Sequence, residues 1–163
     1  MKAAIQRPLL LLDVDGVLNP LSAPRRGGFR RYELLGFDVR LSRAHGRRLN
    51  ALDEWFEIVW ATTWQHDAPR LIAPRIGLRG THDVIEFGEV SLDVDTWKLR
   101  DVARFVGDGP CAWIDDDLGA DAYWWADARE APTLLIRPDP RVGVTDDDFQ
   151  TLEAFGRKVA SGA

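Results

Sequence analysis

Asp13 and Asp15 follow four consecutive leucines, in the run Leu9-Leu10-Leu11-Leu12-Asp13-Val14-Asp15-Gly16. Side chains two apart on an extended chain point the same way, so both carboxylates can face one site. Two anions held that close repel each other unless a proton or a cation lies between them, and the cation suited to oxygen ligands is a hard one such as Mg²⁺. The plain alternative is an Asx turn capping the next segment, and the run taken alone admits both readings. Further candidates stand downstream. Thr62 and Thr63 close the apolar run Val59-Trp60-Ala61, Lys98 lies in a segment of helical pattern, and Asp115-Asp116-Asp117 follow Trp113-Ile114. Three consecutive carboxylates need water or a metal beside them.

Taken in order, Asp13-Val14-Asp15-Gly16-Val17, Val59-Trp60-Ala61-Thr62-Thr63, Lys98 and Trp113-Ile114-Asp115-Asp116 resemble the four-motif series of the haloacid dehalogenase (HAD) superfamily in its phosphatase form. The resemblance runs from about residue 9 to about residue 136. Within the superfamily, the stretch from Trp60 to Ala68 and the short inserts are similar to the phosphatase-like domains associated with multi-domain RNA repair proteins. The resemblance implies that Asp13 is the nucleophile of an aspartyl-phosphate mechanism and that Asp15 is the general acid and then the base. It implies a phosphate-binding hydroxyl at Thr62 or Thr63, with Thr62 favoured as the first past the strand, and a charge-stabilising cation at Lys98. The implied Mg²⁺ site comprises Asp13, the backbone carbonyl of Asp15, and the pair Asp115 and Asp116, with Asp117 a turn or cap residue.

These residues need a frame that brings distant segments together. Leucines closed by Asp and Gly read as a strand buried on both faces, as in parallel sheets, with the acids at its carboxyl end where open α/β sheets bind ligands. Strand and helix patterns alternate along the chain, which predicts a parallel sheet covered on both sides. Strands are expected at Leu9 to Val14, Glu57 to Ala61, Val84 to Phe87, Ala112 to Ile114 and Thr133 to Ile136. A hairpin is expected from Phe29 to Leu41, broken at Leu35-Gly36. Helices are expected from a Ser42 cap to about Glu54, near Ala68 to Ala73, from Asp95 with Lys98 in its first turn, from Gly119 to Arg129, and from a Thr145 cap to about Val159. The resemblance implies a Rossmann-like three-layer α/β/α sandwich with a small flap at the hairpin and no large cap domain. About 46 residues separate Asp15 from Thr62 and about 35 separate Thr63 from Lys98, too few for a sizeable insert.

A length of 163 residues and 45% hydrophobic content suit one HAD-like domain over residues 1–163. The net charge of −5 gives no global attraction for nucleic acid. Between Pro20 and Asn50, however, Arg25, Arg26, Arg30, Arg31, Arg40, Arg43, Arg47 and Arg48 face only Glu33 and Asp38, leaving that segment at +6. Arg30 and Arg31, on the hairpin, are therefore candidate contacts for a polyanion, against the simpler reading of solvated surface arginines. Cys111 is the sole cysteine, which excludes an internal disulfide and reads as a buried thiol. His45, His66 and His82 are too scattered for zinc. Of seven tryptophans, Trp64 could stack on a nucleobase at the mouth of the site, whereas Trp124 and Trp125 read as helix packing. No signal peptide or membrane span is expected, so the reading is cytoplasmic. The expected function is a Mg²⁺-dependent phosphomonoesterase acting on a phosphorylated substrate, with nucleotide or polynucleotide ends favoured by the open site. A small-molecule phosphatase and a non-catalytic phosphate-binding module are the alternatives.

Overall fold

Apolar side chains alternate between the two faces of the central strand. Leu10 and Leu12 enter one core and Leu11 the other, and all three are buried. Each such side chain contributes on the order of 1.5 to 3 kcal/mol by leaving water, so a strand of leucines is most stable where helices cover both its faces. The computed structural model, which describes residues 7–22 and 28–162, places it there.

Five strands form the main sheet: β1 (Leu9–Leu12), β4 (Glu57–Trp60), β5 (Asp83–Val84), β6 (Cys111–Ile114) and β7 (Thr133–Ile136). Their order is β5-β4-β1-β6-β7 and every pairing is parallel. One face packs against α1 (Arg43–Leu52), α2 (Ala73–Ile76) with the π-wound turn Ala68–Ile72 before it, and α5 (Asp146–Ser161). The other face packs against α3 (Leu99–Val106) and α4 (Ala120–Asp127). The fold is thus the expected α/β sandwich. A separate antiparallel hairpin, β2 (Phe29–Leu34) with β3 (Phe37–Ser42), turns at Leu35-Gly36, and among the described residues no large cap is evident.

Local chemistry sets most boundaries. Ser42 caps α1 by accepting from the Ala44 N–H at 3.2 Å, and Thr145 with Asp148 forms a capping box that opens α5. Cys111 is buried, and burial pushes its thiol up to about 11 against the pull of Arg129 and Thr133. Three expectations need correction. The helix expected from Asp95 begins at Leu99, because Thr96 is tied by its N–H and hydroxyl to Asp121 at 3.0 and 2.6 Å, which leaves Lys98 as the N-cap residue. The strand expected over 84–87 is only Asp83–Val84. Trp124 does not pack but is 72% exposed, whereas Trp125 meets Trp113 edge-on at 6.3 Å between ring centroids. Arg25 and Arg26 of the basic segment lie outside the described residues. Among the described residues, no helix is long and apolar enough to cross a membrane.

Candidate active site

The site sits where the chain reverses direction across the sheet. From β1 the chain builds outward through β4 to β5, then returns to the other side of β1 for β6 and β7. Such a switch point leaves a crevice at the carboxyl ends of the strands. Leu12 pairs with both Trp60 and Ile114, so the residues that follow β1, β4 and β6 emerge side by side. They are Asp13, then Ala61-Thr62, then Asp115.

Lys98 joins them. Its Nζ lies 2.9 Å from Asp13 Oδ2 and 2.7 Å from Asp115 Oδ2, and it also donates to the Ala61 carbonyl at 3.3 Å. All three side chains are buried, at 6%, 1% and 4% exposure for Asp13, Asp115 and Lys98. A lysine at a helix N-cap opposes the helix dipole, and here the two carboxylates offset that cost. Asp13 Oδ1 accepts from the Val14 N–H at 2.7 Å, which fixes the rotation of the carboxylate. Burial and the charge of Asp115 push the Asp13 carboxyl up to about 7, against the pull of Lys98, and Lys98 is raised because its two anionic partners outweigh its own desolvation. One ammonium does not balance the acids. Asp13, Asp115 and Asp116 each offer a ligand oxygen, and these oxygens lie within 4.8 Å of one another. Burial and the neighbouring Asp115 also raise Asp116. An all-carboxylate donor set of this kind fits a hard divalent cation.

A family model for the HAD domain in Swiss Army Knife RNA repair proteins matches residues 9–149. The chain belongs to this family. It carries a HAD domain, and Asp13, Asp115 and Asp116 form an acidic cluster within it. A comparison with curated proteins gives no match. Among solved structures, a candidate 3-deoxy-D-manno-octulosonate 8-phosphate phosphatase from Vibrio cholerae is similar over 98% of this chain and 88% of its own, at 14% identity and a TM-score of 0.45.

Around the central triad the HAD domain arranges four further residues named from the sequence. Asp15 is half-buried, and both its oxygens are engaged: Oδ1 accepts from Asn19 Nδ2 at 2.8 Å and Oδ2 from Trp64 Nε1 at 2.9 Å. Its carboxylate is not one of the clustered metal-competent acids. Thr62 is fully buried and its Oγ1 accepts from the Trp64 N–H at 3.3 Å, whereas Thr63 is exposed and lines a cleft beside Asp15. The hydroxyl of Thr62 keeps its proton for donation. Asp117 turns the backbone, its N–H donating to Asp115 Oδ1 at 2.9 Å.

The cleft holds about 520 Å³ and is walled by Leu21, Leu35, Phe37 and Trp64, with Asp15, Asn19, Asp38, Thr63 and Asp67 as its polar lining. Arg30 and Arg31 are exposed on β2 and outside this lining, and Arg31 pairs with Asp38 at 2.8 Å. His66 pairs with Glu86 at the surface.

Two positioning elements were not visible in the sequence. Asn19 both donates to Asp15 and accepts from the Arg40 N–H of β3 at 2.9 Å, linking the acid loop to the hairpin. Thr96 with Asp121 fixes the chain just before Lys98. Gly16 did carry a signal. Its φ is +75°, and a Cβ there would collide with the Asp116 carboxylate, so the Asp-x-Asp-Gly glycine makes room for a metal-competent acid.

Proposed function

We propose that this HAD domain is a Mg²⁺-dependent phosphomonoesterase that works through an aspartyl-phosphate on Asp13 and acts on nucleotide or polynucleotide ends. The observation that carries the reading is Lys98 Nζ at 2.9 and 2.7 Å from Asp13 and Asp115, with Asp15 aimed into the adjoining cleft. A divalent cation held by Asp13, Asp115 and Asp116 would supply positive charge for the phosphate oxygens and favour the ionised form of Asp13.

In this mechanism a carboxylate oxygen of Asp13 attacks phosphorus and the bond to the leaving oxygen breaks. Asp15 gives its proton to that oxygen. In the second half, Asp15 takes a proton from water, the hydroxide attacks phosphorus, and the acyl-phosphate P–O bond breaks to return Asp13 and release inorganic phosphate. Lys98 keeps Asp13 oriented and offsets charge on the intermediate, and Thr62 or Thr63 donates to a phosphate oxygen. Nucleic-acid ends are supported by the family's association with RNA repair and by the absence, among the described residues, of a large cap over the site.

The test is phosphate release with and without Mg²⁺ from an aryl phosphate, mononucleotides, sugar phosphates, and oligonucleotides phosphorylated at the 3′ or 5′ end, with Asp13→Asn as control. Mg²⁺-dependent release that Asp13→Asn abolishes is expected. No release from any ester, or release that survives Asp13→Asn, would overturn the mechanism. The small-ester reading is favoured by one observation, that among the described residues neither Lys nor Arg lines the cleft, and the same panel measures it.

A further inference from the structure

Building on the phosphomonoesterase reading, we infer that the cleft beside Asp15 is a specificity site for the leaving group, and that it takes the heterocyclic base of a terminal or free nucleotide. Position is the first argument. Asp15, which protonates the leaving oxygen in the proposed reaction, lines this cleft, so whatever is attached to that oxygen projects into it.

The lining is the second. A volume of about 520 Å³ is in the range of small-molecule sites. Its apolar lining comprises Phe37 and Trp64, which meet edge-on at 6.0 Å between centroids, together with Leu21 and Leu35. Such a lining suits a flat ring. Among the described residues its charged lining is carboxylate, which disfavours a phosphodiester backbone inside the cleft and suits ring N–H or exocyclic amino donors. Asp67 takes both Arg70 bonds on Oδ1, and Asp38 is neutralised by Arg31 and Arg40, so neither carries an unbalanced charge against a neutral base. A longer polynucleotide would then place its chain outside the cleft, on the side where Arg30 and Arg31 are exposed.

Strain is the third. Leu35 holds φ +53° at the first position of a turn that favours Asn or Gly, and its side chain is 58% exposed at the cleft. A leucine there costs backbone energy without entering the core, as expected for a residue kept for contact with a ligand.

Two measurements test the inference. The first is the ratio of kcat/KM for nucleoside monophosphates over ribose and glycerol phosphates, which should favour nucleotides by about tenfold or more and shrink about tenfold in Phe37→Ala. Leu35→Asn removes the apolar contact and relieves the turn, so it should melt no lower than the parent and still reduce the ratio. The second is calorimetric binding of unphosphorylated nucleosides, which requires no chemistry. Nucleosides that bind the parent and not Phe37→Ala would support the site even if no ester were hydrolysed, in which case the reaction alone would be wrong. Hydrolysis of esters with a ratio near one, and no nucleoside binding, would overturn the inference and leave the phosphatase reading standing.

Discussion

Lys98 stands between two buried carboxylates, and what that means energetically is decided by what happens when it is removed. A buried ion pair gains little over an apolar replacement of the whole group, but deleting one partner leaves the others uncompensated. Lys98→Met should therefore lower stability by about 3 to 5 kcal/mol, read by urea denaturation without divalent ions. A loss under about 1 kcal/mol would mean that Asp13 and Asp115 are balanced by something other than this lysine. Lys98 was singled out by the family resemblance, whereas Asp13 and Asp115 were legible in the sequence as acids directly after apolar strand patterns. Asn19 was not, since its role depends on an amide bridging Asp15 to the Arg40 backbone, a meeting set by where the hairpin lies.

At the scale of elements, α1 carries a titratable group into the core. His45 lies between Phe29 and Phe149, at 5.3 and 5.9 Å between ring centroids, and burial lowers it to about 4, against the pull of Asp146 and of the Leu18 backbone. The unfolded chain takes up this proton near pH 6.5 and the folded one does not until about pH 4. Stability is thus fully present above about pH 6.5 and declines as the pH falls toward 4, by up to about 3 kcal/mol from this residue. The check is the difference between parent and His45→Gln in denaturation curves across that window, where the variant should be flatter. Parallel curves would remove His45 from the acid response. The hairpin and α5 were readable because their signals are local, a Leu-Gly turn and a Thr-x-x-Asp cap. The start of α3 was not, because Thr96 finds Asp121 on another element.

At the scale of the whole molecule, the acidic cluster joins segments that follow different strands, so binding a cation there ties the fold together. Ligand present at 100 times its Kd adds about 2.7 kcal/mol to stability. Mg²⁺ should accordingly raise the melting temperature of the parent and leave that of Asp116→Asn nearly unchanged, measured by differential scanning calorimetry. An equal shift in both would place the ion elsewhere. The sheet order was only partly legible: alternation of strands and helices implied parallel pairing, but no local pattern states that β1 is central. That centrality has a kinetic side. Leu9 pairs with Cys111, roughly a hundred residues later, and closing a loop of that length is a slow step. Asp13 leaves the ribosome long before Lys98 and Asp115, so nascent chains hold Asp13 without Asp115 beside it until β6 has docked. The site is therefore assembled late in folding and all at once, and under the proposed mechanism a chain interrupted before β6 is inert rather than partially active.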